Sequence, residues 1–145
     1  MKFLVDNMLG KLSRRLRMLG YDTVYETKLS DPELVELAIK EDRILLTRDT
    51  ALAKNASAKT LHVLSTNPEE QLQQVTQAYN LNTEMALTRC TLCNSPLTKI
   101  KKEDYQDQIP SKAYEFYQDF SRCEKCGKIY WKGTHIERLK NKKIL

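Results

Sequence analysis

The sequence predicts an α/β protein: a PIN-like three-layer arrangement with a parallel sheet is the expected first domain, followed by a four-cysteine zinc ribbon. Short apolar runs alternate with amphipathic segments over residues 1–85, and all four cysteines lie in residues 86–145. Strands that alternate with helices are typical of a parallel sheet with helices on both faces. Two Cys-x-x-Cys pairs are typical of a tetrahedral zinc site. We therefore expect two domains, 1–85 and 86–145.

Four strands and four helices are predicted within the first of these domains. The strands are short apolar runs at 3–5, 23–25, 43–47 and 60–64. The helices are periodic or well-capped segments at 8–19, 32–40, 50–55 and 68–79. The run 43–47 is apolar enough to be buried on both faces, which favours a strand inside a parallel sheet.

Local signals mark where these helices begin and end. The first helix carries one apolar stripe, formed by Leu9, Leu12, Leu16 and Leu19. Gly20 follows as the residue expected at C′, where a positive φ is common. Asn67 before Pro68 and Glu70 starts the fourth helix, because Asn caps and Pro suits the first helical position. In the cysteine-containing half, aromatic residues at 113–120 predict a short helix, and 129–131 predicts a ribbon strand.

The cysteines form the pairs Cys90/Cys93 and Cys123/Cys126. Each pair can supply two thiolates to one side of a tetrahedral ion. Gly127 follows the last cysteine, where a knuckle needs a residue that tolerates positive φ. Four thiolates leave no open position on zinc, so we expect a structural ion.

The amino terminus shows no signal peptide, since its apolar run is three residues long and stops at Asp6. No stretch approaches the ~20 apolar residues that a membrane helix needs. We therefore expect a cytoplasmic protein without a membrane partner. Disulfides are disfavoured in that compartment, which supports the metal-binding interpretation of the cysteines.

Positive charge is concentrated in the cysteine-containing half. Residues 1–85 hold 11 Lys or Arg and 12 Asp or Glu, whereas residues 86–145 hold 13 and 7. A net charge of +6 on the second half, against −1 on the first, favours a polyanionic partner at the ribbon.

Several carboxylates follow predicted strands. Asp6 comes directly after the first strand, Asp31 opens the helix after the second, and Asp49 lies just past the third. Glu26 ends the second strand, and whether it joins the site stays open. The carboxyl ends of parallel strands share one edge, where functional sites of such sheets lie. A cluster of carboxylates there would suit Mg²⁺ or Mn²⁺.

Structural roles for the same acids remain open at this point. Asp31 lies in a capping box with Ser30 and Glu33, and Asp49 is suited to cap the helix that begins at Thr50. Asp6 is harder to explain structurally, because it stops a buried strand. The acids that precede strands fall on the opposite edge and are excluded; they are Asp22, Glu41 and Asp42.

Basic residues near the acidic edge are candidates for holding phosphates, namely Lys11, Arg14 and Arg48. The alternative for the two on the first helix is a solvated face. Ribbon candidates for RNA contact are Lys125, Lys128, Lys132 and His135. A structural hydrogen bond is the alternative for His135. Tyr130 and Trp131 can stack on bases or pack the ribbon core, and His62 is interpreted as structural.

Taken together, these motifs resemble the PIN-like ribonucleases with a C-terminal zinc ribbon, the Mut-seven C-terminal RNase domains. The resemblance rests on Asp6-Asn7, the Gly-Lys-Leu-x-Arg helix, Gly20-Tyr21-Asp22, residues 44–49, and residues 88–94 and 123–135. It implies a PIN-like fold, a Mg²⁺- or Mn²⁺-dependent nuclease centre and RNA as substrate. By position it gives the acidic roles to Asp6, Asp31 and Asp49. Where PIN nucleases often carry a fourth acid, this chain has Ser65-Thr66-Asn67.

The sequence thus predicts a metal-dependent ribonuclease whose zinc ribbon holds RNA. A non-catalytic RNA- or ribosome-binding module is the first alternative, and a protein-interaction adaptor is the second. A nucleotide-binding enzyme is disfavoured, because no glycine-rich loop follows a strand. No organic cofactor is expected, and no protein partner is identified.

Overall fold

Two β-sheets organise the chain in the structure, a computed structural model that describes residues 1–133. The elements of the first region are β1 (Lys2–Val5), α1 (Gly10–Met18), β2 (Asp22–Tyr25), α2 (Asp31–Lys40), β3 (Ile44–Thr47), α3 (Thr50–Asn55), β4 (Thr60–His62) and α4 (Pro68–Tyr79). The second region contains β5 (Thr98–Ile100), a 3₁₀ segment (Lys102–Gln108), α5 (Ser111–Phe116), β6 (Phe120–Arg122) and β7 (Ile129–Trp131).

The first sheet is parallel throughout, in the order β2-β1-β3-β4. Val5, the last residue of β1, pairs with Tyr25 of β2 and with Leu46 of β3. The carboxyl ends of these strands therefore lie side by side. All four predicted strands and all four predicted helices of this region are present, which confirms the predicted α/β class.

Helices cover both faces of this sheet because successive strand residues point to opposite sides. On one face, Phe3 and Val5 pack with buried residues of α1 and α4. On the other, Leu4 and Leu45 pack with buried residues of α2 and α3. The two cores give the predicted three layers. No helix of residues 1–133 is both long enough and apolar enough to cross a bilayer.

Capping geometry agrees with the local signals. The Asn67 side chain accepts hydrogen bonds from the backbone N–H groups of Glu69 and Glu70. At the end of α1, Gly20 has a φ of +94°. Its N–H bonds to the carbonyl of Arg17, and the N–H of Tyr21 bonds to that of Leu16, as in a Schellman motif. A side chain at Gly20 would also collide with the backbone of Met85.

The second sheet is antiparallel, in the order β5-β6-β7. The predicted strand 129–131 is present as β7, and α5 replaces the longer helix predicted over 113–120. This helix stops early because Tyr117 is extended, with φ −115° and ψ 151°, and the chain then enters β6 beside β7. Phe120 packs there with Ile109 and Ala113.

Hydrogen bonds attach the second region to α1 and β2. The Arg17 guanidinium donates to the carbonyls of Thr23, Thr91 and Leu92, at 2.8, 3.1 and 3.3 Å. The backbone N–H of Thr23 donates to the side-chain oxygen of Asn94 at 3.0 Å. The first cysteine pair is therefore held directly against the edge of the parallel sheet.

Candidate functional site

Asp6 occupies the carboxyl end of the central strand β1 and is only 5% exposed. Its Oδ1 accepts a hydrogen bond from the backbone N–H of Met8 at 3.1 Å, and its Oδ2 accepts one from the hydroxyl of Thr47. A carboxylate offers about four lone-pair positions, so these two bonds leave acceptor capacity on Asp6. A buried acid at this place is the strongest structural feature of the predicted acidic edge.

Asp49 lies at the same edge, two residues beyond β3. The hydroxyl of Thr47 accepts a hydrogen bond from the Asp49 backbone N–H at 2.9 Å, while it donates to Asp6. Thr47 therefore joins the ends of the two adjacent strands. The exposed Asp49 side chain caps α3, since its Oδ1 accepts from the N–H of Leu52 at 3.0 Å. The structure therefore confirms that Asp49 is the N-cap of α3.

Asp31 is exposed at the first position of α2, where Ser30 supplies the N-cap. It borders a groove of about 400 Å³ together with Ala51 and Leu52 of α3, the helix that Asp49 caps. Each of the three aspartates thus follows the carboxyl end of a strand: Asp6 after β1, Asp31 after β2 and Asp49 after β3. The structure does not bring them together as a ligand set. Within residues 1–133, only the four cysteines place three or more candidate metal-binding atoms within 4.8 Å of one another.

The four cysteines are free thiols, and their sulfur atoms all lie within 4.8 Å of one another. The sulfurs of Cys90 and Cys126 are 3.7 Å apart. Zinc–sulfur bonds of about 2.3 Å in a tetrahedron separate the sulfurs by about 3.8 Å, so the donor set fits zinc. The cysteines are therefore positioned to bind a metal ion, consistent with zinc.

The two cysteine pairs have the same backbone form. The N–H of Asn94 bonds to the carbonyl of Cys90 at 3.0 Å, and the N–H of Gly127 bonds to that of Cys123 at 2.7 Å. Both donors have positive φ, +61° for Asn94 and +83° for Gly127. Gly and Asn are the residues that adopt this conformation at least cost. The local sequence therefore builds both halves of the metal site.

Tyr130 contacts Cys90, one of the four candidate metal ligands. Its hydroxyl lies 3.2 Å from the Cys90 sulfur and accepts a hydrogen bond from the N–H of Thr91 at 3.0 Å. Burial opposes ionisation of Cys90, but hydrogen bonds from Tyr130 and from backbone amides outweigh it and lower the pKa of Cys90 to about 6. Hydrogen bonding to Cys126, together with burial, raises the pKa of Cys93 to about 12. A bound cation would favour the thiolate form of all four cysteines, because metal ligands must be deprotonated.

Comparison with protein families gives a match that covers nearly the whole chain. A family model described as the Mut7-C RNAse domain matches residues 1–143. The chain belongs to the Mut7-C RNAse domain family. Membership indicates a ribonuclease, and RNA as its substrate. Comparisons with curated proteins and with solved structures gave no match.

The basic candidates of the Mut7-C chain occupy different surroundings. Lys11 and Arg14 line a groove on α1, and neither makes a hydrogen bond or ion pair within the described residues. Arg48 is half-buried, and its Nε is buried without a hydrogen-bond partner among residues 1–133. The carbonyl of Arg48 lies 3.2 Å from Nε2 of His62, which supports the structural interpretation of His62.

The ribbon candidates Lys125, Lys128 and Lys132 lie at the surface. The Lys128 ammonium lies 5.0 Å from the centre of the Tyr130 ring, a cation–π distance. His135 lies outside the described residues. Trp131 packs against Phe120, with ring centres 5.8 Å apart, so the packing alternative for this tryptophan describes the structure.

Some side chains at or near this edge of the Mut7-C domain have no signal in the local sequence. The bridging role of Thr47 depends on the pairing of β1 with β3. Arg17 and Tyr25 line a groove beside the first cysteine pair, and no sequence motif marks them. Glu70 hydrogen-bonds Ser65 past the end of β4, near the place where a fourth acid was absent from the chain. The sequence signal for this acid is the position of Glu70, three residues after the helix cap Asn67 and close behind the end of β4.

Proposed function

We propose that this Mut7-C protein is a cytoplasmic Mg²⁺- or Mn²⁺-dependent ribonuclease that hydrolyses RNA phosphodiester bonds beside Asp6, Asp31 and Asp49. In this proposal the chain divides near residue 85 into a PIN-like catalytic domain and a zinc-ribbon domain that assists RNA binding. The family match supports the reaction class. The proposal for the site rests chiefly on one observation, the burial of Asp6 at the carboxyl end of the central strand.

Burial of an ionisable carboxylate is costly unless hydrogen bonds or a cation compensate it. Asp6 receives one backbone N–H and one hydroxyl, and it retains further acceptor capacity on the side of the sheet where sites form. A purely structural residue at the end of a buried strand would not need this charge. The location therefore favours a functional role for Asp6.

The donor set of this edge suits a hard divalent cation, because carboxylate oxygens are the ligands that Mg²⁺ and Mn²⁺ prefer. Asp6 and Asp49 are proposed as the anchoring ligands, since Thr47 links the strand ends that carry them. Asp31 is exposed, so its side chain can change rotamer toward Asp6. Asp49 is also exposed, but to turn toward Asp6 it would give up the capping bond from the N–H of Leu52. When bound, such an ion lowers the pKa of a coordinated water and neutralises charge on the phosphodiester.

The chain's own residues would then orient the substrate and handle the proton. Asp31 is proposed to complete the site, or to accept a proton from the attacking water as a general base. Lys11, Arg14 and Arg48 would hold phosphates near the acidic edge. Lys125, Lys128, Lys132 and His135 would extend RNA contact along the ribbon. The zinc is structural in this proposal, because the set of four cysteines leaves no ligand position for substrate.

The proposal is tested by RNA cleavage with purified zinc-loaded protein, with and without Mg²⁺ or Mn²⁺. Asp6→Asn is expected to lower the cleavage rate at least about 100-fold, since even changes outside the ligand shell of a metal cost roughly 10- to 100-fold. Asp42→Asn, at the opposite edge of the sheet, is the matched control and should cleave as the wild type does. Cleavage by Asp6→Asn at the wild-type rate, with the fold intact by circular dichroism, would exclude the assigned centre.

A non-catalytic RNA-binding module is the second candidate. It is favoured by the arrangement of the aspartates, since within residues 1–133 no group of three or more acidic side chains is placed to hold a metal ion. The same experiment distinguishes it. Salt-sensitive RNA binding without turnover in Mg²⁺ or Mn²⁺ would support the binding module.

A further inference from the structure

A groove of about 400 Å³ lies between α1 and the first cysteine pair. This volume falls within the roughly 300–1,000 Å³ that small-molecule sites occupy. One side of the groove is formed by Lys11, Arg14 and Arg17 of α1, and the other includes Thr91 and Leu92 between the zinc ligands. The zinc knuckle is thus a wall of the groove.

The charge of the groove has one sign. None of the described residues that line it is acidic, and its three cations are three residues apart along α1, where like charges repel. Arg17 already donates hydrogen bonds to the carbonyls of Thr23, Thr91 and Leu92. Lys11 and Arg14 are unpaired within residues 1–133. An arrangement of repelling cations without acids favours an anionic ligand such as phosphate.

The groove also has apolar surface, from the Tyr25 ring and from Leu92. Tyr25 is half-buried, and its hydroxyl donates to the carbonyl of Asn7 at 2.9 Å. The ring lies close to the first turn of α1, because a side-chain carbon at Gly10 would be 3.1 Å from the Tyr25 hydroxyl oxygen. Leu92 is 51% exposed although it lies between two zinc ligands. An aromatic ring and an exposed leucine beside cations offer a surface for a nucleobase.

The groove adjoins the candidate acidic edge. Tyr25 pairs with Val5 in the parallel sheet, and Asp6 is the next residue of that strand end. The hydroxyl bond of Tyr25 reaches the residue after Asp6. A nucleotide held in the groove would therefore lie near Asp6, one of the residues proposed to act in RNA cleavage.

We propose that this groove binds one unpaired nucleotide of the RNA, with the base against Tyr25 and Leu92 and the flanking phosphates on Lys11 and Arg14. The assignment rests on the proposed function in taking RNA as the ligand. It goes further in specifying single-stranded RNA, because bases within a duplex are stacked inward and cannot reach an aromatic side chain. It also gives the zinc site a direct part in shaping a substrate subsite.

The charge contribution is tested by fluorescence anisotropy with zinc-loaded full-length protein and a short fluorescein-labelled single-stranded RNA, without Mg²⁺ or Mn²⁺. Removal of two phosphate contacts in Lys11→Ala/Arg14→Ala should make the slope of log affinity against log salt shallower by about 1.4. The control, Lys40→Ala/Lys54→Ala, removes the same charge from helices on the other face of the sheet and should keep the wild-type slope.

The base contact is tested separately. Tyr25→Ala should weaken single-stranded binding about 5- to 150-fold, the range expected for loss of one stacked base. Tyr25→Phe keeps the ring and should bind within about threefold of the wild type. Leu92→Ala, an exposed change that leaves the sheet intact, gives a second measurement should Tyr25→Ala unfold. The same RNA annealed to its complement should bind the wild type more weakly than the single strand does.

The outcomes separate this subsite from the nuclease proposal. Single-stranded binding that depends on Tyr25 and on the Lys11/Arg14 pair, with no cleavage in Mg²⁺ or Mn²⁺, would support the groove and exclude the nuclease. Cleavage combined with an unchanged salt slope in Lys11→Ala/Arg14→Ala would overturn the groove and leave the nuclease standing. Equal affinity for duplex and single strand would also overturn the groove.

Discussion

Thr47 shows how a single hydroxyl organises the candidate acidic edge. It is fully buried, donates to the carboxylate of Asp6 and accepts from the backbone N–H of Asp49. Asp6 follows β1, whereas Asp49 follows β3. The hydroxyl therefore links Asp6 to Asp49, which caps α3.

We expect Thr47→Val to destabilise the fold by about 1–3 kcal/mol, because it leaves a buried carboxylate oxygen and a backbone N–H without partners at nearly constant volume. The measurement is the free energy of unfolding in urea, with an unchanged m-value as the sign of an unchanged fold. Thr98→Val, at an exposed position of β5, is the matched control and should stay within about 0.5 kcal/mol of the wild type. Equal stability of both variants would contradict the bridging role.

Charged residues at the amino ends of the strands form a network of ion pairs and hydrogen bonds. Buried Arg43 donates to the Asp22 carboxylate at 2.8 Å and to Glu41 at 2.6 Å. It also donates to the carbonyl of Phe3 at 3.2 Å. Asn94 adds a bond to Asp22 from the ribbon at 2.8 Å. The exclusion of Asp22 and Glu41 from the functional edge is consistent with this network, which joins three strands and the first cysteine pair.

This network predicts a dependence of stability on pH. Burial opposes ionisation of Asp22, but hydrogen bonds from Arg43 and Asn94 outweigh it and hold its pKa below the ordinary value of 3.8. Because the folded state has the lower pKa, the ionised carboxylate stabilises the fold above pH 3.8, and this contribution is lost as the pH falls through the folded value.

The stability difference between the wild type and Asp22→Asn should therefore shrink as the pH is lowered from about 5. Urea unfolding at a series of pH values measures it. Bound zinc is measured in both proteins at each pH, because Asn94 of the first cysteine pair bonds to Asp22. Asp107→Asn at an exposed site controls for the general effect of removing a negative charge. A difference that stays constant down to the acid limit would rule out the ion pair as its source.

A side chain of α4 hydrogen-bonds to the backbone at the β4 edge of the parallel sheet. The side-chain amide of Gln74 in α4 accepts from the N–H of Leu64 at 3.0 Å and donates to the carbonyl of His62 at 2.8 Å. These are backbone groups of β4 and of a residue shortly after it. An amide that pairs with them occupies part of the edge and limits pairing with another chain.

At the scale of the whole molecule, the metal site is part of the attachment between the two sheets. The apolar cluster around the cysteines is small and contains the buried residues Cys90, Cys123 and Tyr130. A cluster of this size rarely stabilises a fold without a disulfide or a structural metal. The carbonyls of Thr91 and Leu92, which accept hydrogen bonds from Arg17, lie between Cys90 and Cys93 of the candidate zinc site. Metal binding is therefore expected to organise both the ribbon and its contact with α1.

Removal of zinc should unfold the ribbon while the parallel sheet stays folded. Hydrogen exchange is the measurement. After chelation, the amides of Asn94 and Gly127 should lose protection, whereas the amides of β1 and β3, between two buried cores, should keep it. Cys126→Ser, at the exposed ligand, should reduce bound zinc below one ion per chain by elemental analysis. Protected knuckle amides in the zinc-free protein would contradict a structural ion.

The predictable features of this protein are those encoded by neighbours along the chain. The strand around Leu45, the cap at Asn67 and the positive φ at Gly20 follow from hydrophobicity, side-chain capping and the lack of a Cβ, so short windows of sequence predict them. The cysteine spacing likewise indicates its own metal site. The helix predicted over 113–120 is longer than α5, because pairing of β6 with β7 decides where the helix ends.

By itself, then, the sequence determined the strand and helix order of the parallel sheet, the four cysteines of the candidate metal site and the edge on which Asp6 lies. Only the tertiary structure decided that Thr47 joins two strand ends, that Arg17 binds the zinc knuckle, and that Tyr25 and Leu92 line one basic groove. The physical reason is the range of the interactions. Propensity and capping act over a few residues, whereas strand register and the packing of the ribbon bring together groups separated by tens of residues, and no local pattern specifies those partners.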